Sequence, residues 1–180
     1  MIGEKDIEML FGKQLARIGD EELRGKVVKT FVLACRRGNW ESVDALKKMP
    51  FTLLADTFGV NFVEHTIAVT EGAAALGRAQ AEAYGRLPYA IDFDRLYAGG
   101  LLHDVGKLLE IEPDGRGGYR KSLPGKYARH PVSGAILAFP KAPLGEVSAA
   151  LRINLPEANR RRFGAPRKER FLTSAGRTLN

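Results

Sequence analysis

The first 48 residues place apolar side chains at intervals of three and four. Ile7, Leu10, Phe11, Leu15 and Ile18 share one face of a helix expected from Asp6 to Ile18. Asp20, followed by Glu21 and Glu22, reads as a second helix start. The aspartate caps free N–H groups, and the acids suit the positive end of the helix dipole. That helix is expected to reach about Cys35 and to stop near Arg37-Gly38. Asn39 precedes a short amphipathic piece, Glu41 to Lys48, which Pro50 closes.

Farther on the pattern stays helical. Val60 to Tyr84 predicts one long helix, or two with a bend, rich in alanine, with Phe62, Ile67, Val69, Ala73, Ala74 and Leu76 as its apolar positions. Gly72 and Gly77 within it would permit close approach of a neighbouring helix. Phe93 to about His103 is nearly all apolar and is expected at the centre of the fold. Glu112 to Lys126 carries Pro113, Gly115, Gly117, Gly118, Pro124 and Gly125 and reads as a loop, with room for a short hairpin at Gly117-Gly118-Tyr119. Pro131 fits a first helical position, with His130 at or near the N-cap, and that helix is expected to end by Phe139. No strong period-two strand and no internal repeat stand out. The expected fold class is all-α, a helical bundle. The expected division is an N-terminal helical extension over 1–59 packed on the bundle, a core domain over 60–150, and a basic tail over 151–180.

Composition narrows the picture modestly. With 180 residues, 44% hydrophobic and 27% charged, the chain can build one domain with a real core. Cys35 is the only cysteine, so no internal disulfide can form. Met1 is followed by Ile-Gly-Glu-Lys-Asp rather than an apolar leader, and no apolar run approaches about 18 residues. A soluble, cytoplasmic protein without membrane association is the expectation. The net charge of +7 is uneven: from Leu151 to Asn180, eight basic residues face only Glu157 and Glu169, giving +6 and leaving +1 for the rest. The basic balance therefore says little about the main domain's partners.

The chemistry concentrates in three histidines. His65 stands in Val63-Glu64-His65-Thr66, His103 in Leu101-Leu102-His103-Asp104-Val105-Gly106-Lys107, and His130 in Arg129-His130-Pro131-Val132-Ser133-Gly134-Ala135-Ile136-Leu137. They are separated by 38 and 27 residues. Zinc-finger ligands come in close pairs, so these gaps exclude one. They suit ligands delivered by separate helices to a bundle interior. His103 and Asp104 are adjacent, and neighbours on a helix point about 100° apart. The pair works together if the helix ends or loosens there, and Gly106 supplies a reason.

The His-Asp doublet in His-Asp-Val-Gly-Lys, with a histidine before it and His-Pro-x-x-Gly-Ala-x-Ile-Leu after it, resembles the HD superfamily of metal-dependent phosphohydrolases, near the subgroup that includes the HD-GYP domains. The matching stretch runs from about Val60 to Phe139, under half of the chain. The resemblance implies that His65, His103 and Asp104 ligate a first metal, and that His130 ligates a second in two-metal members. It implies manganese, iron, nickel, cobalt or zinc, with magnesium as a further option. Asp104 would also orient a metal-bound water, and Lys107 would neutralise charge gained by phosphoryl oxygens. Arg116, Arg120, Lys121, Lys126 and Arg129 against Glu112 and Asp114 make a net +3 lip suited to an anionic substrate, with Arg120 and Arg129 the chosen contacts. The implied activity is a phosphomonoesterase or phosphodiesterase acting on a phosphorylated small molecule, foremost a nucleotide. The Gly-Tyr-Pro signature of cyclic-di-GMP-specific members is absent. The bland readings remain beside these: His130 as a helix cap, Lys107 as a solvated helix-end lysine, Glu64 as a surface residue, and the basic lip as a solvated loop.

One departure stands against an active enzyme. The family pattern calls for a distal aspartate, and the sequence has no aspartate after Asp114 and no histidine after His130. Glu146 and Glu157 are weak substitutes. Three readings of the tail stay open: a shifted reading frame, a basic tail that binds nucleic acid or an acidic partner, or an ordinary helix. The alternative function is a degenerate domain acting as a binding or regulatory module.

Overall fold

The computed structural model describes residues 1–138. The first helix, α1 (Glu4–Leu15), opens where the Asp6 carboxylate accepts from the Gly3 N–H at 2.8 Å. It ends three residues before the periodicity does. Ile18 is nonetheless fully buried, carried inward by a turn in which its N–H meets the Leu15 carbonyl. Phe11 leaves helical geometry at φ −120° and stacks on Phe31 with ring centroids 4.9 Å apart. Asp20 caps α2 (Glu21–Arg37) as expected, its side chain accepting from the Leu23 N–H at 3.0 Å. The short α3 (Val43–Lys48) is capped by Ser42.

The long helix is α4 (Phe62–Ala83), opened by reciprocal Asn61 and Glu64 hydrogen bonds. It pairs extensively with α5 (Phe93–Leu102). Of the two glycines expected to ease that approach, Gly77 does so: a Cβ there would lie 3.0 Å from Leu96. Gly72 faces open space, and Leu76 is 60% exposed, so part of the predicted apolar stripe points outward. The tightest crossing is at Gly100, where a Cβ would come within 2.8 Å of the Thr70 backbone. Thr66 and Thr70 are buried there, and each hydroxyl donates to a carbonyl four residues back, at 2.7 Å. That satisfies polar groups that burial would otherwise penalise.

After α5 the chain passes through turns into α6 (Lys107–Glu110), a hairpin of β1 (Ile111–Pro113) and β2 (Tyr119–Lys121), α7 (Leu123–Tyr127) and α8 (His130–Ala138). The expected loop over Glu112 to Lys126 is therefore more ordered than its composition suggested. Ile111 pairs with Lys121 and Pro113 with Tyr119. Gly115 and Gly117 adopt positive φ at the turn, where the Asp114 carboxylate accepts from the Arg116 and Gly118 N–H groups. Ser122 then caps α7. The fold is all-α apart from this small sheet, as the sequence predicted.

One core joins both halves of the described chain: Ile7, Phe11, Val27 and Phe31 belong to the same buried cluster as Phe62, Leu101, Val105 and Leu108. α2 packs on α5, α6 and α8, and α1 on α4 and α5. Trp40 fixes the back of α6, its indole N–H donating to the Leu108 carbonyl at 2.8 Å. Gly38 has no room for a side chain against that carbonyl. Among the described residues no helix is long and apolar enough to cross a membrane. The expected end at Phe139, the short helix around Glu146, Glu157 and the basic tail lie outside the described residues.

Candidate metal centre

His65 sits in the first turn of α4, its backbone N–H bonded to the Asn61 carbonyl at 3.0 Å. The neighbouring Phe62, Val63 and Thr66 face the core, which leaves His65 half-buried at the helix edge. Phe51 lies flat on its ring, with centroids 4.4 Å apart and planes 15° apart. Phe51 is held there because the chain around it closes on itself: Pro50 bridges Asn61, and the Phe62 N–H bonds the Met49 carbonyl at 2.8 Å.

His103 is the C-cap of α5, and the chain beyond it tightens. Val105, Lys107 and Leu108 donate to the carbonyls three residues back rather than four, at 3.1, 2.8 and 3.2 Å. This tighter winding changes the angle between successive side chains. It buries Val105 and Leu108 in the core while Asp104, 5% exposed, turns beside His103. The doublet therefore works at a helix end. His103 Nδ1 lies 2.6 Å from the Gly100 carbonyl. A carbonyl only accepts, so Nδ1 carries a proton, and Nε2 is the nitrogen left for Asp104 or for an ion.

Four basic groups converge on the one Asp104 carboxylate. His65 Nε2 is 3.3 Å, His103 Nε2 3.1 Å and Lys107 Nζ 2.5 Å from Oδ2, while His130 Nε2 is 3.2 Å from Oδ1. Lys107 follows one turn after Asp104, and its ammonium also stands 5.6 Å from the centre of the Phe51 ring. One ligand atom each from His65, His103 and Asp104 lies within 4.8 Å of the others, a set that can hold a metal ion. Two imidazoles and a carboxylate are the donors of transition-metal sites, and a free Nε2 on His103 fits that use.

Gly106 brings α8 to this turn. A Cβ on it would lie 2.1 Å from the His130 carbonyl oxygen and 2.6 Å from the Gly134 nitrogen. His130 is the first residue of α8, followed by Pro131, close to the expected cap position. Its anchor is Glu110, which the sequence reading passed over. The Glu110 carboxylate, 6% exposed, accepts from the His130 backbone N–H at 2.8 Å and meets Nδ1 at 2.7 Å. Arg129 Nε lies 2.8 Å and Lys121 Nζ 3.6 Å from its other oxygen. The signal was present: Glu110 interrupts the apolar run Leu108-Leu109-Glu110-Ile111. Phe51 was also missed, and no local pattern marked it.

The remaining residues lie farther out. Arg120 is exposed and pairs with Glu112 across the hairpin at 2.8 Å. Arg129 is committed to Glu110. Glu64 is exposed and serves the α4 cap.

The local field sorts the charges. Burial opposes ionisation of Asp104, but the His103 and Lys107 contacts outweigh it and hold the carboxyl well below the usual range. Burial likewise opposes the charge on Glu110, and the His130 N–H, the His130 ring and Arg129 overcome it, so its pKa falls. For His65, burial and then the Lys107 charge lower the pKa. For His103, burial is outweighed by Asp104 and the Gly100 carbonyl, and the pKa rises.

A family model described as HD domain matches residues 62–169. Searches of curated proteins and of solved structures found no match.

Proposed function

The chain belongs to the HD domain family, a superfamily of metal-dependent phosphohydrolases, and from that premise we propose that it hydrolyses phosphoesters of a phosphorylated small molecule, foremost a nucleotide. The observation that carries the reading is the convergence of His65, His103, His130 and Lys107 on one buried carboxylate. HD domains bind divalent metals, and this cluster is compatible with one. His65, His103 and Asp104 would hold the ion, and His130 would ligate a second. Manganese, iron, nickel, cobalt and zinc suit the donors. A bound ion there would supply an acidified water and polarise a phosphoryl oxygen.

The protein's own groups have separate tasks in this reading. Asp104, held ionised, keeps an oxygen able to orient a water. Lys107 presents a fixed positive charge toward developing charge on the phosphoryl oxygens. Phe51 shields one face of His65 from solvent. Arg120 and Arg129 would meet a substrate phosphate only by exchanging their present partners, Glu112 and Glu110. Residues 1–59 act as the helical extension on which the site-bearing helices pack, a role supported by the core they share and by the family match beginning at residue 62.

The sequence motivates one alternative, a binding or regulatory module, because no aspartate follows Asp114. Metal content by mass spectrometry, with aryl phosphate turnover in manganese, nickel and cobalt, separates the two. About one or two equivalents of metal, with turnover abolished in both His103→Ala and Asp104→Ala, supports the hydrolase. Unchanged turnover in both variants overturns it. No retained metal and no turnover leaves the binding module.

A further inference from the structure

Glu110 is a carboxylate buried among four donors, and the hydrolase reading gives it no task. It lies on α6, three residues after Lys107. Its partners come from two other segments: His130 and Arg129 at the start of α8, and Lys121 at the end of β2. The position is confined on its remaining side. A Cβ on Gly125 would lie 2.6 Å from the Glu110 carbonyl oxygen and 3.0 Å from its Cγ. The Ser122 N–H bonds the Glu110 carbonyl at 2.8 Å. Glu110 therefore has little freedom to move when the groups around it change.

We infer that Glu110 is the positioning residue for His130: its carboxylate holds a proton on Nδ1 and turns Nε2 toward Asp104, where an ion bound between them would take the Nε2 lone pair. This rests on the metal-centre reading above and deepens it. Oε2 meets both the backbone N–H and the ring Nδ1 of His130, at 2.8 and 2.7 Å. Two contacts to one residue set both the place of α8 and the rotation of the ring. An ionised carboxylate only accepts, so Nδ1 carries a hydrogen where it meets Glu110. The opposite nitrogen is then the one 3.2 Å from Asp104 Oδ1. His103 shows the same arrangement with a different tether, Nδ1 on the Gly100 carbonyl and Nε2 toward Asp104 Oδ2. Two imidazoles thus reach the same carboxylate with the same nitrogen, each with its other nitrogen tied. A carboxylate or carbonyl behind an imidazole is the usual way to orient a ligand ring and raise its basicity. Arg129 and Lys121 hold the Glu110 carboxylate from the far side, so Arg129 acts on the site through Glu110 and His130.

The test uses the full chain, free of metal, labelled with nitrogen-15. Long-range imidazole spectra near pH 8.5 assign which ring nitrogen carries the proton. The expected result is a proton on Nδ1 of both His103 and His130. In Glu110→Gln the amide oxygen can still accept, so His130 keeps that tautomer. In Glu110→Leu the acceptor is gone, and the His130 proton moves to Nε2, while the His65 and His103 signals stay in place. Zinc affinity should then fall about 10- to 100-fold in the leucine variant and less in the glutamine variant. A neutral His130 ring whose only proton lies on Nε2 in the unsubstituted protein overturns the inference. So does a leucine variant whose His130 tautomer is unchanged. Should the leucine variant not fold, the unsubstituted protein and the glutamine variant still decide the tautomer. The result does not depend on turnover: the expected tautomers in a protein with no phosphatase activity would leave the inference standing and remove the hydrolase reading.

Discussion

The stretch from Glu4 to Arg37 and the stretch from His103 to His130 obey different rules. In the first, α1 and α2 follow from spacing and caps: Asp20 caps, acids lead, basic residues close, and the apolar stripe is buried. In the second, no element before α8 exceeds five residues, and the order comes from contacts between segments. Asp104 is placed by a tightened helix end, His130 by Glu110, and α8 by the bare face of Gly106. Local preference builds the scaffold, while long-range fit builds the site. Damage to the first region should therefore cost stability and spare chemistry, and damage to the second should do the reverse or both.

The sharpest way to break that contrast is Asp104→Ala. It removes the one carboxylate among the described residues that faces three imidazoles and Lys107, so metal retention should be lost. Turnover of an aryl phosphate should fall by at least about 100-fold, with the helical circular dichroism retained. Retained metal and turnover would dissolve the distinction. Lys107→Met should come next: turnover down by roughly 100-fold with metal content unchanged. Parallel loss of metal would mean that the lysine serves the fold of the site rather than the substrate.

A pair of glycine substitutions sharpens the comparison on the stability side. Gly106→Ala drives a methyl into the His130 carbonyl and the Gly134 nitrogen. The expected cost is about 1–3 kcal/mol, seen as a lower denaturation midpoint. Gly72→Ala, inside α4 and facing open space, should instead stabilise by about 0.5–1 kcal/mol. Equal effects of the two would contradict the packing described. Asp20→Ala should cost about 1 kcal/mol and leave turnover unchanged.

The smallest expected effect is in pH dependence. The His103 pKa is raised and the His65 pKa lowered from 6.5. A proton therefore competes with metal at His103 already above pH 6.5, and at His65 only below it. Metal affinity should fall as pH drops, by about tenfold per unit while one proton is displaced per ion, and more steeply once His65 also titrates. Without metal the sign reverses for His103: its raised pKa adds stability below pH 6.5 that is lost as pH rises through its folded value. Titration calorimetry in buffers of different ionisation enthalpy counts the protons released. Release that is constant from pH 5.5 to 8 would contradict this assignment of charges.

The helices were legible because their information is short-range. Spacing marked α1, α2, α4 and α5 to within a few residues, and the His-Asp doublet with Gly106 and Lys107 marked the family. The hairpin and α7 were less legible. Glycines and prolines mark a departure from helix, but only the pairing of Ile111 with Lys121 and the Ser122 cap show what replaces it. Gly72 and Gly77 look alike in sequence, and only the neighbouring helix distinguishes them. Glu110 and Phe51 were missed for one reason: a lone acid or aromatic gains its role from what stands opposite, and no local pattern records that.

The sequence by itself determined the class of the fold, the family, and the identity of the side chains available for chemistry, because periodicity, caps and a short motif are properties of neighbouring residues. Only the tertiary structure decided which nitrogen of His103 and His130 faces Asp104, that Arg129 is tied to Glu110, and that Phe51 covers His65. Those are matters of distance and direction between segments far apart in the chain. Packing settles them, since a hydrogen bond or an ion pair exists only where both partners are brought within about 3 Å.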